Sequence, residues 1–162
     1  LVVGGPSPEG DWSGKLRAQV HEAGLAERVH FTGSVPPQDL HRVLSAADVF
    51  VLATRNEGWA NVFLEAMACG LPVVTTDVGG NAEVVCRPEL GMIVPFGDAT
   101  QLTAALHAAL VRPWDRGLIR LHAQANTWDR RVDVLEAEFR ALCRAPGADV
   151  ARAIGPGSAR SL

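Results

Sequence analysis

From Leu1 to Val94, short apolar runs alternate with longer stretches of helical spacing, and this alternation restricts the fold more than any other feature of the chain. The runs read as strands at Leu1 to Val3, Val29 to Thr32, Val49 to Ala53, Val73 to Thr76 and Met92 to Val94. Between them the spacing predicts helices over Trp12 to Ala23, closed by Gly24, and over Gln38 to Ala47, opened by Pro36-Pro37. A third covers Val62 to Cys69, stopped by Gly70 and Pro72, and a short helical turn carrying Glu83 follows Gly79-Gly80-Asn81. Strands separated by helices at this spacing pair in parallel, with helices on both faces of the sheet. Leu1 to Val3 reads as a buried strand, and the unbroken apolar run Val49 to Ala53 predicts a strand buried on both faces.

Asp98 onward reads as helical. Asp98 and Gln101 have the spacing of a capping box at the start of Ala99 to Val111. Helices over Trp114 to Asn126 and Trp128 to Leu142 follow. The domain organisation expected is one α/β unit over residues 1–144 and a Gly-, Ala-, Pro- and Ser-rich tail over 145–162, read as disordered. A length of 162 residues supports one hydrophobic core, not two. The first residue is Leu and the chain opens inside a strand, so we read it as part of a longer protein.

Right-handed crossovers place the C-terminal ends of all the strands on one edge, where ligands of such sheets bind. Four loops would line it: Gly4-Gly5-Pro6, Gly33-Ser34-Val35, Thr54 to Ala60, and Asp77 to Asn81. The third is the most informative, because RNEGWAN leads directly into the helix VFLEAMAC. The first-turn N–H groups of a helix lack intrahelical partners and carry partial positive charge, which makes an anion site. Gly58 lets backbone approach a ligand. Glu57 precedes the helix and Glu65 lies about one turn inside it. Two carboxylates pointed at a phosphate would repel it, whereas ionised carboxylates are strong acceptors for sugar hydroxyls. Taken singly, each also has an ordinary structural reading, as a dipole partner or a solvated helix residue.

In the fourth loop Asn81 can cap the short helix, and Glu83 suits either a ligand contact or a first-turn glutamate. GGPSPEG lacks the G-x-G-x-x-G spacing of a dinucleotide site. Histidines at 21, 30, 41, 107 and 122 form no cluster, and Cys69, Cys86 and Cys143 match no metal or redox spacing. A net charge of −3 supplies no basic field for nucleic acid. No run approaches membrane-spanning length and no signal peptide is visible, so a cytoplasmic setting is expected.

Together these segments resemble a known family. The pair Glu57 and Glu65 followed by AMACGLPVV is similar to the signature of the family 4 retaining glycosyltransferases, in their C-terminal domain. RVHFTGSVPPQDLHRVLSAADVFVLAT, TTDVGGNAEVV, GMIVPFGDATQLTAAL and ANTWDRRVDVLEAEF extend the likeness over about Leu1 to Leu142. The resemblance implies a Rossmann-like parallel sheet with helices on both faces, the C-terminal half of a GT-B fold. It implies transfer of a sugar from a UDP- or GDP-linked donor to an acceptor hydroxyl, with retention and without a metal or other cofactor. It gives Glu57 to the donor sugar as catalytic residue and Glu65 to the ribose hydroxyls. Gly58, Trp59 and the backbone of Ala60, Asn61, Val62 and Phe63 approach the sugar and diphosphate, and Gly33, Ser34 and Val35 border the base.

Two departures stand out. The second glycine common after Gly58 is Ala60 here. The strand and helix that carry the family's diphosphate-binding Arg and Lys, and the acceptor-binding N-terminal domain, are expected upstream of Leu1. Any peripheral membrane association would run through that absent domain. The chain alone should therefore bind donor weakly and be inactive, with an unpaired edge at mid-sheet. Competing readings are a non-catalytic nucleotide-sugar-binding homologue, against which both glutamates speak, and a dinucleotide-dependent oxidoreductase domain, against which the missing fingerprint speaks.

Overall fold

A computed structural model of the chain describes residues 1–5 and 10–144; the tail expected at 145–162 lies outside them. Among the described residues five strands and seven helices occur in the order β1 (Val2–Val3), α1 (Ser13–Glu22), β2 (Phe31–Gly33), α2 (Pro37–Ser45), β3 (Phe50–Leu52), α3 (Asn61–Ala68), β4 (Val73–Thr76), α4 (Asn81–Val84), β5 (Gly91–Val94), α5 (Ala99–Val111), α6 (Arg116–Ala125) and α7 (Trp128–Arg144). Every strand pairing is parallel. The architecture is thus the α/β class that the alternation predicted.

Helix boundaries follow local chemistry. Pro36 and Pro37 open α2, with φ preset for a first helical turn. Gly24 takes φ +66 and Gly70 φ +80, the left-handed conformations that end α1 and α3 without a Cβ penalty. At α5 the Asp98 carboxylate accepts from the Gln101 backbone N–H at 2.8 Å and from its side-chain amide at 2.8 Å. Those bonds, the backbone one first, hold the Asp98 carboxyl below its ordinary range. The Asp115 carboxylate caps α6 by accepting from Gly117 and Leu118 N–H.

The core is centred on α3 and β4. Phe63, Ala66 and Met67 of α3 are fully buried, and Phe63 packs edge-on against Phe50 with ring centroids 6.1 Å apart. Successive residues of a strand face opposite sides of the sheet. All four residues of β4 are buried, so both of its faces are covered. Val73 joins the cluster formed by α3, Leu90 and Ile119 of α6, while α5 packs on β4 and β5.

The sheet is not continuous. The register joins β3, β4 and β5 into one sheet, and β1 with β2 into another. Leu1, Val3 and Gly4 on one side, and Phe50, Val51 and Leu52 on the other, wall a shared groove of about 830 Å³. This corrects two expectations. Val2 and Val3 are exposed rather than buried, and Val51 in β3 is 40% exposed. Burial on both faces requires a neighbour on each side of a strand, and β1 and β3 each have a single strand neighbour.

Candidate functional site

The loop between β3 and α3 and the loop between β4 and α4 meet through backbone. The Gly80 N–H donates to the Gly58 carbonyl at 3.0 Å. Gly79 has φ +50, and a Cβ placed on it would lie 1.6 Å from the Glu57 carbonyl oxygen. Glycine at position 79 therefore meets two demands at once, a left-handed backbone and a close approach. Gly58 differs, since a Cβ there would meet nothing within 4 Å. The protein itself does not require glycine at 58, and its open side faces space a ligand can use.

Beneath these loops runs a buried polar clamp. The Thr75 hydroxyl donates to the Leu52 carbonyl at 2.8 Å, and the Thr76 hydroxyl to the Thr54 carbonyl at 2.7 Å. The Asn81 amide donates to Thr75 Oγ1 at 3.1 Å and to the Thr76 carbonyl at 2.9 Å. Asn81 is fully buried. It does not cap α4, as its position had suggested: Gly80 is the N-cap, and no side chain caps that helix. Asn81 instead ties the end of β4 to the start of α4, which fixes the two loops relative to each other.

The loops enclose an open cavity of about 480 Å³, lined by Arg55, Asn56, Glu57, Gly58, Val78 and Gly79. Glu57 is half-buried at its wall. Just beyond, α3 starts at Asn61 with Ala60 as N-cap and no side-chain cap. The N–H groups of Asn61 and Val62 have no acceptor among the described residues, while that of Phe63 donates to the Ala60 carbonyl. Two donors are thus available to an anion, in the electropositive field of a helix start.

Several anticipated site residues sit elsewhere. Glu65 is exposed on α3 and does not line the cavity with Glu57. The Phe63 side chain belongs to the core, its backbone N–H is already bonded, and Ala60 is buried. The Val62 side chain faces the groove between β1 and β3. Ser34 and Val35 also line that groove, and Gly33, at φ +71, accepts from the Gly4 N–H. The four loops expected along one edge therefore form two pairs, one on each sheet, with the groove between them.

Arg55 and Asn56, inside the loop expected along the edge, line the cavity too, although neither was singled out as a ligand contact. Trp59 was expected at the donor, and what the structure adds is its partner. The Arg131 guanidinium of α7 lies 4.0 Å from the Trp59 ring centroid.

Comparison with known proteins identifies the family. The family described as Glycosyl transferases group 1 matches residues 1–111. The chain is 38% identical over 146 residues to a D-inositol 3-phosphate glycosyltransferase of Jonesia denitrificans, covering 86% of this chain and 34% of that protein. Among solved structures it is similar to a sucrose-phosphate synthase from Thermosynechococcus elongatus, with 34% identity and a TM-score of 0.74, covering 87% of this chain and 37% of that one. It is also similar to the Anabaena protein HepE in complex with UDP, at 27% identity and a TM-score of 0.61, covering 88% of this chain and 40% of that one. The chain spans about a third of the length of the curated relatives it matches.

Proposed function

The chain belongs to the Glycosyl transferases group 1 family, and on that premise we propose that it is the donor-binding domain of a longer, retaining family 4 transferase. The observation that carries the reading is the cavity at Glu57. Glu57, half-buried, lines it, and four residues along the chain α3 opens with two N–H groups that have no acceptor among the described residues. A nucleotide sugar needs both functions, an acceptor for sugar hydroxyls and donors for a diphosphate. In this reading the Asn61 and Val62 N–H groups meet the diphosphate, Glu57 meets the donor sugar, and Arg55 adds a cation at the cavity wall. Glu65, on the exposed side of α3, takes the ribose hydroxyls from outside the cavity. No metal takes part: the helix start and basic side chains neutralise the leaving nucleoside diphosphate, a UDP or GDP.

The groove between β1 and β3 supports the view that this domain is part of something larger. Both walls are apolar and each presents an unpaired strand edge. One further parallel strand between them would convert two sheets into one and cover Val3 and Val51. In this reading that strand, and the basic residues following it, come from the longer protein. So does the acceptor-binding domain, which leaves the isolated chain inactive. Among the described residues no helix is long and apolar enough to cross a membrane, which suits a cytoplasmic enzyme using activated sugars.

Isothermal titration of the chain with UDP- and GDP-sugars, and with NAD, tests the proposal. Weak binding of one nucleotide sugar is expected, further weakened by Glu65→Ala through loss of an ionised acceptor worth ~1.5–3 kcal/mol. In the longer protein Glu57→Ala should lower turnover more than donor affinity. Preference for NAD over every nucleotide sugar would overturn the reading, as would wild-type behaviour of both variants.

A further inference from the structure

We propose that Arg131 is a positioning residue for the loop that carries Glu57, acting through Trp59. This rests on the reading of that loop as the donor site, but its geometry stands apart from any ligand.

The Trp59 indole is held from two sides. On one, its Cε3 lies 3.4 Å from where a Cβ on Gly80 would sit, so the ring edge packs directly on the β4–α4 loop. On the other, the Arg131 guanidinium covers the ring face at 4.0 Å. The ring also packs against the core cluster. Trp59 immediately follows Gly58, whose carbonyl accepts the Gly80 N–H. Displacing the indole therefore displaces the two residues beside it that line the cavity, Gly58 and Glu57.

Arg131 suits this role by its chemistry and its place. A planar guanidinium stacks on an indole face, and its attraction to the ring grows where water is excluded. Arg131 is half-buried, and its Nε is buried without an acceptor among the described residues. A cation is held at this spot with its hydrogen bonding incomplete, so the ring contact has to compensate. The helix that delivers it is otherwise lightly attached. Among the described residues, Trp128, Val132, Leu135, Phe139 and Leu142 of α7 are exposed. Arg131 is thus a specific point of connection between α7 and the cavity wall, and it lies in the first turn of α7, where its backbone N–H donates to the Thr127 carbonyl.

Amide hydrogen exchange on the full chain reads the coupling without a ligand. Arg131→Gln should speed exchange of the Gly80 N–H, which donates to the Gly58 carbonyl, about five- to tenfold, the factor expected from losing one partly desolvated cation–π contact. Exchange in β4 and α5 should stay at the wild-type rate. Arg131→Lys keeps the charge but not the planar stack and should restore only part of the protection, while Arg130→Gln, on the exposed neighbour, should change nothing. Titration with UDP and with GDP should show a parallel loss of affinity in Arg131→Gln. Wild-type exchange at the Gly80 N–H in Arg131→Gln would overturn the proposal, and so would an even rise across β4 and α5, which marks general loosening. If the wild-type chain bound neither UDP nor GDP, the donor-site reading would fail, and the exchange comparison would still decide the role of Arg131.

Discussion

Replacing Gly79 by alanine is the sharpest perturbation this site allows. At φ +50 an alanine bears a left-handed backbone penalty of about 1–2 kcal/mol. Its Cβ would also sit 1.6 Å from the Glu57 carbonyl oxygen, so one loop must retreat by roughly 1.4 Å to reach the 3.0 Å that real contacts require. Retreat stretches the Gly80 N–H to Gly58 carbonyl bond beyond its 3.0 Å. Losing that bond is worth a further ~0.5–1.5 kcal/mol. Together these predict a destabilisation of about 1.5–3.5 kcal/mol, or a fall in Tm of roughly 3–14 °C for a domain of this size. Gly97→Ala is the matched control. Its φ is +84 but nothing lies within 4 Å of the added Cβ, so only the backbone penalty applies. The difference between the two variants isolates the collision. Thermal melts and urea titrations measure it, and turnover of the longer protein measures its consequence. A shift of about 1 Å in a catalytic group lowers turnover on the order of 100-fold. Equal stability of the two variants, with donor affinity unchanged in Gly79→Ala, would refute the packing argument and the placement of Glu57 built on it.

Two further predictions concern stability. Asn81→Ala removes the two amide hydrogen bonds that Asn81 brings to the buried clamp and leaves the Thr76 carbonyl with the Val78 N–H as its donor, so urea unfolding should show a loss of about 1–3 kcal/mol with an unchanged m-value. A neutral result would mean that the clamp does not hold the loops. His122 is held below its ordinary 6.5, first by burial and then by the neighbouring Arg87 guanidinium, against a weaker upward pull from the Val84 backbone. The folded state binds this proton less readily than the unfolded chain, so the His122 contribution is present above pH 6.5 and is lost as pH falls through the lowered folded value. Melts across that range should show a flatter pH dependence in His122→Gln than in wild type, and identical slopes would contradict the assignment.

Much of this protein was legible locally. Strand β4 and helix α5 begin and end where the sequence placed them, because their signals are short-range. Gly70 and Pro72 punctuate the approach to Val73, and Asp98 reaches a partner three residues away. The Glu57 loop could likewise be located before α3 from the order of strand, loop and helix alone. What the sequence left open depends on residues far apart in the chain. A strand is buried only if another lies beside it, so Val51 could read as core and still be exposed at the edge of a split sheet. The spacing of Glu57 and Glu65 determines their separation along the chain, but not that only the first enters the cavity. Gly79 reads as one more loop glycine until folding brings Glu57 against it. Nothing near Trp59 in sequence announces Arg131, which is brought over the ring only by the packing of α7. The sequence determined which elements form and which loop carries the carboxylate. Tertiary structure decided which atoms share the cavity, because close approach is set by packing across the chain rather than by spacing along it.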